Sequence, residues 1–192
     1  MSTWTKSTAM IVACALAFGF SATEAFASER KKQKKRDNSD RIARETLDEL
    51  FVKEPASKEF YEKCHGYAVF SNIKVSLGIT AGGGNGVAVN KETGERTYMN
   101  MGTAGLNLGL GGQRYYVVFF FETEQRFNEF VNNGWEADAS ANAAAGKHGA
   151  NAEATFRNGM AFYQLTGAGL MLQADISGTK YWKDKDLNES AK

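Results

Sequence analysis

Proline occurs once in 192 residues, and histidine and cysteine twice each. Two cysteines cannot staple a disulfide mini-domain or build a zinc ribbon. His65 and His148 stand outside any His-Glu-x-x-His or Cys-x-x-Cys spacing, so no metal-ligand set is visible. No series of apolar runs of about 20 residues is present, which excludes a polytopic helical membrane protein. Signatures of nucleotide and hydrolase chemistry are missing as well. There is no Walker loop, and Gly109-Leu110-Gly111 meets Arg114 where a dinucleotide fingerprint needs its third glycine. There is no G-x-S-x-G elbow. Cys64 and His65 are sequence neighbours, so their side chains diverge and make a poor nucleophile–base pair. Glu153 and Asp175 are isolated acids on predicted strands rather than a glycosidase pair. The sequence makes no positive case for catalysis, a bound metal or a cofactor.

What is abundant is glycine, at 20 residues, beside 12% aromatic and 43% hydrophobic residues. Glycine without proline, among aromatics, argues for turns, bulges and thin strands. The length fits one domain with a real core. Charge is unevenly placed. The run Arg30, Lys31, Lys32, Gln33, Lys34, Lys35, Arg36 carries six cations, whereas residues 37–192 hold 16 basic and 20 acidic residues. A dense cationic segment attracts phosphate-bearing surfaces. No aromatics interleave with these lysines and the rest is acidic, which disfavours nucleic acid.

Residues 1–27 read as a secretory signal peptide. Lys6 precedes an apolar stretch, and Ala25-Phe26-Ala27 forms a small-x-small cleavage signature. This predicts an exported chain, periplasmic or membrane-associated. The cations that follow oppose export by positive-inside logic. Ile11-Val12-Ala13-Cys14 also resembles a lipobox. Residues 28–38 are then a flexible basic segment, 39–182 the folded domain, and 183–192 a polar, frayed tail.

Along the domain, Ala43, Leu47, Leu50 and Phe51 predict a helix over 39–52, capped by Ser39 and stopped by Pro55. A short helix follows from Ser57 to about Cys64, with Gly66 as terminator. The period then changes to two. Strands are predicted at 67–72, 74–80, 87–89 and 96–101, with 81–86 a loop or thin bulged strand and 91–95 a hairpin turn. Arg114 to Phe121 reads as a strand buried on both faces. Thr123 caps a helix striped by Phe127, Phe130 and Val131 and ended by Gly134. Extended stretches at 135–145, 151–156, 159–166, 170–177 and 180–182 complete the chain. The class is α+β, with a strongly curved, mostly antiparallel, barrel-like sheet of about eight strands and two or three helices.

Ordered blocks in this region resemble the SYLF domain family, a lipid-binding module. Lys63-Cys64-His65-Gly66-Tyr67-Ala68-Val69-Phe70 is similar to its Lys-Ala-Lys-Gly block. Gly82-Gly83-Gly84-Asn85-Gly86 and Gly102-Thr103-Ala104-Gly105 through Gly111-Gly112-Gln113 resemble its two glycine blocks. The apolar strand, the Phe127/Phe130 helix and the closing Gly-Ala-Gly-Leu-Met-Leu segment fall in the family's order. His65 stands where the family has a second lysine, which removes a permanent charge.

The resemblance implies non-catalytic binding of phosphoinositides or other anionic phospholipids at a membrane surface. For an exported bacterial chain, phosphatidylglycerol, cardiolipin or lipopolysaccharide replaces the phosphoinositide. The matching material is the basic cluster, Arg30, Lys31, Lys32, Lys34, Lys35 and Arg36, with the helix after it. On the body, Lys63, Lys74 and Arg114 are candidate head-group contacts. Two alternatives are a structural or protein-binding envelope module and a small outer-membrane barrel. Against the barrel, residues 115–121 do not alternate and helices interrupt the strands.

Overall fold

The computed structural model describes residues 5–137, 156–166, 169–171 and 178–189. In chain order the elements are α1 (Thr5–Lys53), α2 (Ser57–Lys63), β1 (Gly66–Asn90), β2 (Arg96–Phe121), α3 (Glu124–Asn133), β3 (Trp135–Ala137), β4 (Met160–Thr166), β5 (Gly169–Met171), β6 (Thr179–Lys183) and α4 (Lys185–Asn188). The predicted α+β class with a strongly curved antiparallel sheet is what the chain forms. Six strands fall among the described residues, and the separate strands predicted at 67–72, 74–80 and 87–89 are one strand, β1.

Helix α1 runs unbroken through two positions where the sequence reading differs. Residues 28–38 are helical, not flexible. The segment from 20 to 54 contains neither glycine nor proline, and its Glu, Lys, Arg and Gln residues are good helix formers. Pairs one turn apart support it: Glu29 with Lys32 at 3.4 Å, and Gln33 donating to Asp37 at 2.8 Å. Ser39 therefore sits inside the helix rather than capping it, and its Oγ accepts from Asn85 Nδ2 at 2.9 Å. The helix ends at Lys53, before Pro55, as its fixed φ and missing N–H require.

Strands β1 and β2 form one long antiparallel hairpin, from Gly66 opposite Phe121 to Val89 opposite Arg96. Asn90 shapes the turn, its Oδ1 accepting from the amides of Glu92 and Thr93 at 2.9 and 3.1 Å. Gly94 supplies the positive φ of 72°. Midway, the partner of Leu77 is Leu110 but that of Gly78 is Asn107, so β2 carries two extra residues. Such a bulge bends the ladder. The bend folds β1 over itself. A Cβ added at Gly82 would lie 2.7 Å from the Ile73 carbonyl. One at Gly84 would collide with Ser71 and Asn72, and one at Gly86 with Val69 and Phe70. The alternate glycines exist because a backbone lies against them, not because a loop runs there. Gly66 likewise is no helix terminator: α2 ends at Cys64, and Gly66 faces Phe127.

β2 is the central strand. β1 lines one edge, while β6 pairs with Met99–Thr103 and β4 with Tyr115–Phe121 on the other. β3 adds to β6 and β5 to β4, all antiparallel. The run at 115–121 is buried on both faces, as its composition predicts. Val117, Phe119 and Phe121 join Phe70, Phe127, Phe130 and Tyr181 in one core, under α3. Val118 and Phe120 join Leu47, Leu50, Phe60 and Leu165 in a second, under α1 and α2. Helix α3 matches its predicted cap and stripe: Thr123 Oγ1 accepts from Arg126 N at 3.3 Å, and Gly134 ends it at φ 73°.

The tail is not frayed as far as it is described. Asp184 caps α4 by accepting from Leu187 N at 3.0 Å, and Leu187 is buried. Asn188 brackets Tyr98, accepting from its amide at 2.9 Å and donating to its carbonyl at 2.7 Å. The stretches predicted extended or turned at 138–155, 167–168 and 172–177, with His148, Glu153 and Asp175, lie outside the described residues.

Cys64 is buried, its Sγ 3.2 Å from the Tyr61 carbonyl. Burial pushes the thiol from 9.0 up to about 11, with the Lys91 charge pulling back. The folded state therefore holds the neutral thiol while the unfolded chain ionises. Stability contributed below pH 9 should be lost as pH rises toward about 11. The buried phenols of Tyr163 and Tyr181, also raised, act in the same direction. Urea midpoints across this range should fall, and an aromatic disulfide reagent should not react with Cys64 until the chain unfolds.

Candidate functional site

Helical periodicity decides which cations of the basic run are free. Each residue advances about 100° around α1. Ser39, Ala43, Thr46, Leu47 and Leu50 are the buried positions that dock the helix. On the same wheel Arg30, Lys31, Lys34 and Lys35 fall within an arc of roughly 140°, centred about 130° away from the docking side. All four are exposed. None has an ion-pair partner among the described residues. Lys32 and Arg36 fall on the docking side and are half-buried.

Arg36 is a tie rather than a free charge. Its Nε donates to the Leu187 carbonyl at 2.8 Å and its Nη2 to the Glu189 carbonyl at 3.4 Å. These are end carbonyls of α4, which otherwise lack partners. The basic run thus divides into an outward quartet and two inward residues. Arg36→Gln should loosen α4 and cost about 1 kcal/mol of stability, given the partial exposure. Faster amide exchange over residues 185–189 would register it.

The three candidate contacts on the body do not form one site. Lys63 Nζ pairs with Glu59 at 2.6 Å at the end of α2. It lies beside the Gly66–Phe121 end of the hairpin, whereas Arg114 pairs opposite Ile73, seven ladder positions on. That is roughly 20 Å along the strands. Lys74 neighbours Ile73, so alternation puts it on the opposite face from Arg114. Lys74 is half-buried and Arg114 exposed. His65 lies 3.4 Å from Glu92 and 3.2 Å from Asn90, half-buried with its ring against Phe127.

Sequence reasoning passed over two residues with structural duties. Lys91 caps α2: its Nζ donates to the carbonyls of Tyr61, Cys64 and Glu62, the last two at 3.2 and 3.3 Å. It also lies 4.7 Å from the centre of the Tyr61 ring. Arg96 approaches Asp40 at 3.5 Å, and Tyr98 donates to the same carboxylate at 3.3 Å. Asp40 and Arg96 border a cleft of about 350 Å³ between α1 and β1, walled by Leu47, Phe51, Tyr67 and Val89. Of its charged residues, Arg96 and Asp40 pair with each other. Burial pushes the Tyr67 and Tyr98 phenols up, so both stay protonated. Among the described residues no group of three potential metal ligands converges. No described helix is long and apolar enough to cross a membrane.

Residues 102–191 match the family described as Ysc84, "Las17-binding protein actin regulator". The chain is also similar to "Beta cell expansion factor A" of Aeromonas veronii, 46% identical over 151 residues. That alignment covers 79% of this chain and 58% of the relative, so the chain spans under two thirds of the relative's length. The family's members are binding modules related to lipid or actin. The glycine hairpin, the doubly buried strand and the Phe127/Phe130 helix carry the resemblance to the SYLF domain, and within this chain residues 102–191 match that Ysc84 (SYLF) family.

Proposed function

We propose that this chain is a non-catalytic module that binds anionic phospholipid at a membrane surface. The observation that carries the reading is the outward quartet Arg30, Lys31, Lys34 and Lys35 on a helix anchored to the domain by its opposite face. A rigid cationic face suits a surface of phosphates better than a single small ligand. Each such residue near an anionic bilayer contributes about 1 kcal/mol. A leader ending at Ala27 would place this face at the start of the mature chain. Phosphatidylglycerol and cardiolipin are the lipids such a chain would meet.

Flotation with vesicles tests this reading. The chain should rise with phosphatidylcholine vesicles carrying phosphatidylglycerol and stay behind with pure phosphatidylcholine. Equal recovery on both would count against it. Binding to a protein partner, as the family description has for its members, would instead survive neutralisation of the quartet.

A further inference from the structure

We propose that the outer face of the β1–β2 hairpin beside its bend, built on Ile73 and Val75, enters the interface of an anionic bilayer, with Arg114 at the level of the phosphates. This deepens the reading above and rests on it. Ile73 and Val75 lie two residues apart on one face of β1. They are 50% and 47% exposed, while Val69, Val87, Val89, Val117 and Val118 are all buried. Further down the same face, Val69, Val118 and Phe120 belong to the core beneath α1 and α2. That cover stops short of Ile73. Arg114 pairs opposite Ile73, and Gly112 opposite Val75 has open space where a Cβ would stand. The face is a bare apolar ridge flanked by one permanent cation.

Charge complementarity selects the occupant. β1 and β2 together contain Lys74, Arg96 and Arg114 and no acidic residue. Yet residues 37–192 as a whole hold more acids than bases. An apolar ridge on strands without an acidic residue, with the exposed Arg114 beside it, matches a bilayer with anionic head groups, where the methyls leave water and the guanidinium stays among phosphates. The quartet on α1 would supply attraction from a distance, and the ridge would supply short-range anchorage.

The test places a reporter on the ridge. Ile73→Cys, in a chain carrying Cys14→Ser, is labelled with an environment-sensitive fluorophore; Cys64 is buried and stays unlabelled. With vesicles of phosphatidylcholine and about one quarter phosphatidylglycerol, the emission should shift to the blue. The same label at Val52→Cys, 81% exposed on α1, should not shift. Ile73→Ser with Val75→Ser should weaken binding at physiological salt by about tenfold or more, since half-exposed apolar side chains lose their burial. Its thermal unfolding should match the parent. Vesicle binding without a shift at position 73 would overturn this inference and leave the quartet reading standing. Failure to bind any vesicle would overturn both. A dimer that the serine pair turns into a monomer, with vesicle affinity unchanged, would assign the ridge to a second copy and overturn the inference.

Discussion

Gly84→Val should abolish the cooperative unfolding transition of this domain. The added side chain has nowhere to go. A single Cβ at Gly84 already collides with the Ser71 carbonyl and the Asn72 side chain. Both colliding groups belong to the other arm of the same strand, which is held by its ladder to β2. Backbone in a ladder cannot yield as a flexible side chain does. Overpacking of this kind costs about 3 kcal/mol or more, a large share of the roughly 5–15 kcal/mol that holds a domain folded. The site has little reserve, because Asn72 is fully buried and neither its amide nitrogen nor its oxygen has a partner among the described residues. Gly105→Ala is the matched control. It lies on β2, and a Cβ there meets nothing within 4 Å. Its stability should stay within about 0.5 kcal/mol of the parent. Urea denaturation followed by circular dichroism separates the two. Equal stability for both variants would show that β1 does not fold over itself.

Replacing Arg30, Lys31, Lys34 and Lys35 together with glutamine should cost about 4 kcal/mol of vesicle binding, at about 1 kcal/mol per cation. That is close to a thousandfold loss of partitioning onto anionic lipid. Glutamine keeps the helix propensity of the originals. All four side chains are exposed and clear of the core, so the unfolding midpoint should not move. Arg36→Gln should behave in the opposite way. It loses the tie to α4 and leaves most of the vesicle affinity intact. The basic run thus holds two functions that a simple charge count merges, and the pair of variants separates them. Equal losses of affinity from the quartet and from Arg36 alone would show that the division by helix face is wrong.

The parts of the fold that follow from periodicity were readable in the sequence. The stripe at Phe127, Phe130 and Val131, the cap at Thr123 and the doubly buried run at 115–121 depend on neighbours a few residues away. What could not be read depends on contacts distant in sequence. Gly82, Gly84 and Gly86 look like a loop until Ser71 and Val69 are known to lie against them. Arg36 looks like one of six equal cations until residues 187 and 189, some 150 positions later, arrive at its guanidinium. The candidate site divides in the same way. The attraction of the basic run is a matter of composition, while the separation of Lys63 from Arg114 and the bare ridge at Ile73 and Val75 follow from register. One signal was available: the Ile-Lys-Val alternation at 73–75 marks a strand whose apolar side needs a cover, and no sequence-local element provides one.

Electrostatic capture of an anionic membrane by a fixed helical face must depend on salt. Vesicle partitioning of the unaltered chain, titrated with salt, tests it most directly. Affinity for phosphatidylglycerol-containing vesicles should fall steeply as the screening length shrinks from about 30 Å at 0.01 M to about 8 Å near physiological salt, with a slope that flattens in the quartet variant. An affinity that ignores salt, or that is as high on neutral vesicles, would contradict the account.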